Sequence, residues 1–150
     1  MEKGNTYQFS FEKLEVWQLA RKLATEIYKT TQSFPSEEKY SLVSQIRRAA
    51  VSVSANIAEG TTRQTAKDQA YFTTVSFSSL MELFNHLVIS SDLGYVKVDE
   101  LADYRRLTQQ LSVKLSNLKA SQVKRISKLG YIWFLVAAPQ LLQPLVPLSV

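Results

Sequence analysis

Residues 45–60, QIRRAAVSVSANIAEG, decide the fold. Their small apolar side chains recur at steps of three and four, the spacing of an α-helix that turns one face to a core. On nearly the opposite side of this predicted helix lies a second row, made of Gln45, Arg48, Ser52, Asn56 and Glu59. A solvent-facing row more usually carries Lys and Glu, which favour the helix and keep it soluble. We therefore predict that this helix is in contact with other groups on two sides.

The rest of the chain contains three further helical patterns. The four predicted helices cover about residues 12–33, 37–60, 66–93 and 99–128. Their connections are short, so consecutive helices should lie antiparallel. With 150 residues and no cysteine, the chain can form one core without disulfides or thiolate metal sites. The prediction is an all-α fold: an antiparallel up-down-up-down four-helix bundle over residues 1–128, followed by an apolar, proline-containing tail over residues 129–150.

The ends of the first two helices are predicted from individual residues. Pro35 stops the first helix, because the residue before a proline is disfavoured in the α conformation. Ser36 is predicted to cap the second helix, with two glutamates following it in the first turn, where the helix dipole favours anions. Gly60 is predicted to end the second helix in a left-handed conformation.

The third helix is predicted to begin at Thr65, which forms a capping pair with Asp68, and to end at Gly94. Asp99 is predicted to cap the fourth helix. The apolar stripe expected to face the core from the third helix consists of Phe72, Val75, Leu80, Leu83 or Phe84, Leu87 and Val88.

The sequence contains no pattern typical of a catalytic or metal site. Arg48 and Glu59 would lie about 16 Å apart along a helix, too far to share one site within a chain. The one histidine, His86, falls beside the apolar stripe of the third helix, where a hydrogen-bonded histidine near the core is expected. Metal-ligand spacing such as Glu-x-x-His is absent. We predict that the protein is not an enzyme and that it binds no metal or cofactor.

Four segments carry a resemblance to a known family: FEKLEVWQLA, FPSEEKYSLVSQIRRAAVSVSANIAEG, FSSLMEL and DLGYV. Together they resemble the four-helix-bundle proteins encoded within 23S rRNA intervening sequences of bacteria, over about residues 9–120. The family usually has Gly-Ser ahead of the Leu-x-Glu of its third helix, where this chain has Ser78 and Ser79. The resemblance implies a small bundle that assembles as a homopentamer and has no catalytic activity.

The chain is also similar to the accessory proteins of diversity-generating retroelements, which are basic pentameric bundles. This similarity implies RNA or DNA and a reverse-transcriptase-like protein as partners. A ring places each subunit between two neighbours, so each bundle needs contact surface beyond its own core. One set of residues could supply this surface: Gln45, Arg48, Ser52, Asn56, Glu59 and Gly60. Two alternatives stay open: these residues form the contact with a neighbouring subunit, or they bond only within their own bundle.

The positive charge of the chain is concentrated in its last charged segment. Residues 96–128 hold eight Lys or Arg against three Asp or Glu, which equals the net +5 of the whole chain. Clustered cations bind nucleic-acid phosphates, whereas a solvated helix end rich in Lys and Arg is the plainer interpretation. The candidate nucleic-acid-binding residues are Arg105, Arg106, Lys114, Lys119, Lys124, Arg125 and Lys128. The predicted function is RNA association by a homo-oligomer; the alternative is a structural or protein-interaction scaffold with no nucleic-acid role.

The tail over residues 129–150 has no charged side chain. Its longest unbroken apolar run, residues 131–138, is far shorter than the roughly twenty residues that a membrane-spanning helix needs. We predict no membrane anchor, and a short helical extension that folds back onto the bundle or packs in the oligomer; an unstructured extension is the alternative. The N-terminal residues lack the layout of a signal peptide, so the expected location is the cytoplasm.

Overall fold

The computed structural model describes the backbone of residues 7–137 and the side chains of residues 7–128. It contains four α-helices: α1 (Glu15–Thr30), α2 (Leu42–Thr61), α3 (Ala66–Asp92) and α4 (Val98–Ala137). A 3-10 turn at Ser10–Lys13 precedes α1, and two more at Thr31–Ser33 and Ser36–Tyr40 join α1 to α2. No strand occurs in this part of the chain. The all-α helical bundle predicted from the sequence is confirmed.

The four helices pack around one apolar core. Arg48 pairs with Glu82 and Ser52 with Ser79, so residue numbers rise along α2 as they fall along α3. Contacts of α4 with α1 and with α3 follow the same opposite order, as antiparallel neighbours do. The completely buried apolar residues come from all four helices: Ala20, Leu23, Ile27, Ile46, Ala50, Val53, Leu80, Leu83, Leu87 and Leu111.

The buried face of α3 differs from the predicted stripe. Phe72, Val75 and Val88 lie at the edges of the core and are only partly buried. Besides Ala70, Leu80, Leu83 and Leu87, α3 buries four small polar residues: Thr73, Ser76, Ser79 and Ser90. The prediction followed the largest apolar residues, whereas the close approach of α2 selects the smallest side chains of α3.

The small polar residues of α3 are buried with hydrogen-bond partners. The Ser76 hydroxyl donates to the Val53 carbonyl oxygen of α2 at 2.8 Å. The Thr73 hydroxyl lies 2.9 Å from Gln122 Oε1 on α4. A buried hydroxyl destabilises a fold unless it has such a partner, so these bonds make a partly polar core tolerable.

Gly60 does not end α2, and the prediction of a left-handed cap there is wrong. The helix continues to Thr61, and the positive φ among the described residues belongs to Gly94 (φ +77), which follows α3 as predicted. A Cβ atom placed on Gly60 would lie 3.2 Å from the Phe72 Cβ. Gly60 is therefore a packing residue that lets α3 lie close to α2.

The start of α2 is also organised by a residue other than the predicted one. Ser36 lies inside a 3-10 turn, and its side chain caps no helix. The Glu38 carboxylate instead accepts hydrogen bonds from the Leu42 N–H at 3.3 Å and from the Ser41 hydroxyl. The Ser36 prediction is wrong because the chain makes one 3-10 turn before α2 begins.

The predicted start is confirmed for α3 and wrong for α4. The Thr65 hydroxyl accepts from the Asp68 N–H at 3.0 Å, which confirms the predicted cap of α3. Asp99 is not the cap of α4, because the helix already begins at Val98. Lys97 directly precedes the helix, and the Glu100 carboxylate, in the first turn, accepts from the Lys97 N–H at 3.2 Å.

The fourth helix does not stop at the predicted boundary of residue 128. It continues to Ala137, because residues 129–137 contain no proline and a single glycine costs a helix only about 1 kcal/mol. The predicted tail beyond residue 137 lies outside the described residues. None of the described helices combines the length and apolar character that crossing a membrane requires.

Two threonines offer a matched test of the core. Thr108 carries a buried hydroxyl with no hydrogen-bond partner among the described residues. A buried hydroxyl without a partner costs about 1–3 kcal/mol, so Thr108→Val should raise the free energy of unfolding by about 1 kcal/mol. Thr73→Val removes a bonded hydroxyl and should lower it by about 1 kcal/mol. Urea denaturation followed by circular dichroism measures both, and a change of the same sign in the two variants would contradict this account.

A second prediction concerns Glu38 and pH. Hydrogen bonds from the Ser41 hydroxyl, the Leu42 N–H and the Tyr95 hydroxyl lower the pKa of the Glu38 carboxyl below its ordinary 4.5. A carboxyl whose pKa is lowered in the folded state stabilises the protein above about pH 4.5 and loses this contribution as the pH falls through the folded pKa. The urea midpoint of Glu38→Gln should therefore fall less than that of the parent between about pH 5 and pH 3. If the urea midpoints of the parent and Glu38→Gln fall equally with pH, the prediction is wrong.

Candidate oligomer and nucleic-acid interfaces

The polar row of α2 begins with an exposed ion pair that joins α2 to α3. Arg48 donates to Glu82 at 2.7 Å and to Gln45 at 2.9 Å. Two-thirds of the Arg48 side chain is exposed, so the pair stabilises the bundle by less than about 1 kcal/mol. Its chief effect is to cancel the charge of Arg48 at this end of the row.

The middle of the row forms hydrogen bonds within the bundle. The Ser52 and Ser79 hydroxyls lie 2.9 Å apart, which joins α2 to α3. The Asn56 amide donates to the Ser52 carbonyl oxygen at 2.7 Å and reaches the Ser52 hydroxyl at 3.0 Å. The Ser52–Ser79 bond holds α2 against α3, the Asn56 bonds lie within α2, and none of these residues carries a charge.

At its other end the row closes the turn between α2 and α3. Glu59 forms an ion pair with Arg63, and the Arg63 guanidinium lies 4.4 Å from the centre of the Phe72 ring. All the predicted row residues thus bond or pack within their own chain, as one of the two alternatives from the sequence expected. Whether they also contact a second copy remains a prediction.

An uncharged surface is left between the two ion pairs, on the outer sides of α2 and α3. It consists of Ser52, Ala55, Tyr71, Val75 and Ser78. Ala55 and Ser78 are exposed, and 64% of Tyr71 is exposed. Small side chains in its centre let another backbone approach closely, and no charge has to be removed from water when it does. We refer to these five residues as the uncharged surface.

The predicted basic segment is divided between engaged and free cations. Arg105 lies over the Phe84 ring, at 4.8 Å from its centre. Arg106 pairs with Asp103, and Lys114 pairs with Glu15 of α1 at 2.8 Å. These three of the seven predicted cations are therefore held by groups of their own chain, and Arg125 is the fourth.

The C-terminal part of the segment is more open. Arg125 donates to Gln69 on α3, whereas Lys119, Lys124 and Lys128 are exposed and form no ion pair among the described residues. Lys124 and Lys128 stand one helical turn apart on the same face, but Arg106 lies about 27 Å further along the helix. Lys119 lies on nearly the opposite side of the helix from Lys128. The structure therefore brings together only Lys124 and Lys128 in the C-terminal part of α4, rather than a patch that includes all seven cations.

Two arginines outside the predicted segment stack on aromatic rings, and sequence reasoning missed both. The Arg21 guanidinium lies 5.2 Å from the centre of the Trp17 ring, and that of Arg47 lies 4.7 Å from the centre of the Tyr28 ring. Arg21 follows Trp17 by four residues on one helix, a spacing that places them on the same face and could have revealed the first pair. The second pair joins two helices and carries no local signal.

No side-chain arrangement typical of catalysis or metal binding occurs in the described part of the chain. His86 Nε2 lies 3.8 Å from Glu82 Oε1, and one-fifth of its side chain is exposed. Groups of three His, Asp or Glu side chains able to hold a metal ion are absent from these residues.

The model of the 23S rRNA-intervening sequence protein family matches residues 12–117. The chain belongs to this family. The match runs from the turn before α1 to the middle of α4, so it includes the polar row of α2 and the uncharged surface. It ends before Lys119, which leaves the open cluster of cations outside the region that defines the family.

A solved structure supports the fold of the family. A crystal structure of a protein of unknown function from the S23 ribosomal protein family, from Bacteroides thetaiotaomicron, is 18% identical to this chain. The similarity covers 69% of this chain and 97% of that one, with a TM-score of 0.63. At this identity the similarity shows the fold alone. The comparison with curated proteins gives no significant match.

Proposed function

We propose that this member of the 23S rRNA-intervening sequence protein family is a non-catalytic homo-oligomer that associates with RNA in the cytoplasm. The observation that supports assembly is the uncharged surface. A helical bundle ordinarily presents Lys and Glu to water, and a row of small neutral residues on its outer side is typical of a helix that meets another helix. The ring of five implied by the family resemblance gives each copy two neighbours.

The support for RNA association is electrostatic. Lys124 and Lys128 are exposed, form no ion pair within the described residues and stand one helical turn apart on the same face of α4. An oligomer repeats this cluster once in each copy, which raises the local potential and the attraction for phosphates. Contacts of this kind neutralise the backbone and do not read base edges, so the expected binding is broad in sequence preference.

One observation favours the alternative, a scaffold with no nucleic-acid role. Arg105, Arg106, Lys114 and Arg125 are all engaged by groups of their own chain. Most cations of this segment already have a partner within the chain, so they need no phosphate to balance their charge. The two functions share the oligomer and differ only in whether RNA binds to it.

The uncharged surface predicts the effect of a single added charge. Ala55→Lys places an ammonium group in its centre, so the oligomer should dissociate, because burying an unpaired charge is costly. Helix content should change little, since lysine is a good helix former. Light scattering coupled to size exclusion should give about five times 17.0 kDa for the parent and a smaller mass for the variant.

Ala102→Lys is the matched control, because Ala102 is exposed on α4, away from the uncharged surface. This variant should keep the mass of the parent. A parent that is monomeric at micromolar concentration would disprove the oligomer. Equal masses for the parent and Ala55→Lys would place the contact elsewhere.

RNA association predicts a salt-dependent change on removal of the open cations. The double variant Lys124→Gln/Lys128→Gln should bind unrelated RNAs more weakly by similar factors. The slope of log affinity against log salt should fall by roughly one for each phosphate that the variant no longer neutralises. Fluorescence anisotropy with labelled RNA between about 50 and 200 mM salt measures both quantities.

Lys22→Gln/Lys29→Gln removes the same charge from α1 and is the control for net charge. An effect of equal size in this control would show that total charge, not the α4 cluster, governs binding. If the parent binds no RNA near 50 mM salt, the scaffold alternative replaces the proposed function.

A further inference from the structure

An aromatic series extends across the first turn of the bundle. The ring centres of Tyr7 and Phe9 lie 5.2 Å apart, those of Phe9 and Phe11 lie 5.8 Å apart, and those of Phe11 and Trp17 lie 5.0 Å apart. Tyr7 is 78% exposed and Phe9 is 57% exposed. Large aromatic rings left in water at this density are unusual for a surface without a partner.

The series continues into the two arginine–aromatic pairs of α1 and α2. Arg21 stacks on Trp17, and Arg47 stacks on Tyr28, about 16 Å further along α1. Arg47 is held in place by a 2.8 Å hydrogen bond from its Nε to the Thr31 hydroxyl. Neither guanidinium forms an ion pair within the described part of the chain. Together these side chains form one face, which we call the aromatic–arginine face.

The carboxylates of α1 and α2 are engaged by other groups. Glu15 pairs with Lys114 of α4, and Glu59 pairs with Arg63 in the turn before α3. Glu26 forms an ion pair with Lys22, one turn earlier on α1, at 3.9 Å. The sequence of these two helices contains no other Asp or Glu. Neither helix therefore leaves a carboxylate unengaged beside Arg21 or Arg47 to repel an anion.

One carboxylate lies next to the aromatic series, in the turn before α1. The Glu12 carboxylate accepts a hydrogen bond from the Phe9 N–H at 2.9 Å. Its negative charge is thus directed at the backbone of the turn and holds Phe9 in position. The two guanidinium groups outnumber it, so the aromatic–arginine face keeps a positive balance.

We propose that the aromatic–arginine face binds single-stranded RNA. Unpaired bases stack on exposed aromatic rings, and guanidinium groups attract the phosphates between them. Both elements are present here, and the positive balance of the face supplies the charge complementarity. A purely apolar partner would gain nothing from Arg21 and Arg47, whereas duplex RNA would offer no unstacked base to Phe9 or Tyr28.

This inference rests on the proposed function, because it names the kind of RNA that the oligomer takes. It uses a different surface from the α4 cluster, so the two can fail separately. The uncharged surface lies on α2 and α3 and shares no residue with the aromatic–arginine face.

The experiment uses Trp17 as its reporter. Trp133→Phe leaves Trp17 as the only tryptophan of the chain. Titration of this full-length protein near 50 mM salt with a single-stranded oligouridine, and with an RNA duplex of equal length, should quench Trp17 fluorescence only with the single strand. In the same background, Phe9→Leu/Tyr28→Leu should weaken binding of the single strand by at least about fivefold, since each stacked base contributes roughly this much or more.

Two controls match these changes. Tyr40→Leu removes an 86% exposed ring that belongs neither to the aromatic–arginine face nor to the uncharged surface, and should leave the affinity for oligouridine unchanged. Arg21→Gln should weaken binding, whereas Lys22→Gln, its neighbour on another side of the same helix, should not. Circular dichroism and light scattering on each variant confirm that the fold and the oligomer mass are retained.

The outcomes separate the inference from the proposed function. If RNA binds equally well to the parent and to Phe9→Leu/Tyr28→Leu, but less well to Lys124→Gln/Lys128→Gln, the aromatic–arginine face is not the site and the proposed function stands. If Phe9→Leu/Tyr28→Leu instead lowers the oligomer mass, the face is a subunit contact and the inference is overturned. If the parent binds neither RNA, both proposals fail.

Discussion

The close approach of α2 and α3 is the constraint on which the rest of the structure depends. Gly60 faces Phe72 with no room to spare, and Ser52 meets Ser79 through a single hydrogen bond. Larger side chains at these positions would push the helices apart and open the core beside them. The two helices therefore approach closely where they carry small side chains. The larger residues Leu80, Leu83 and Leu87 supply the hydrophobic burial that the small ones do not.

The same small residues determine the outer surface. A helix that carries Ala and Ser on its inner side admits a close neighbour there, and α2 also carries small residues on its outer side. The basic end of α4 and the aromatic–arginine face lie on other parts of the molecule. The fold thus places the surface of the proposed subunit contact and the surfaces of the proposed RNA binding on different parts of the molecule.

The number and order of the helices could be predicted from the sequence, because a long amphipathic segment shows the periodicity of an α-helix. Details that depend on a neighbour did not follow. Glycine is a common residue at the end of a helix, so the sequence favoured Gly60 as a cap. Its actual role is to allow close packing against Phe72, and the residues around Gly60 in the sequence do not indicate that contact. The buried face of α3 was predicted wrongly because the prediction followed large apolar residues such as Phe72 and Val75. The periodicity of apolar residues does not indicate how near the next helix lies. The cations of α4 could be named from the sequence, whereas their ion pairs with Asp103 and Glu15 could not.

The two ion pairs that border the uncharged surface have a consequence for how the molecule responds to its solvent. Arg48 with Glu82, and Glu59 with Arg63, leave that surface electrically neutral, so a contact formed there changes little in strength when ions are added. Phosphate binding by free lysines and arginines depends steeply on ionic strength. For the proposed assembly, added salt should therefore release the RNA and leave the oligomer intact, and dilution of the salt should restore RNA binding.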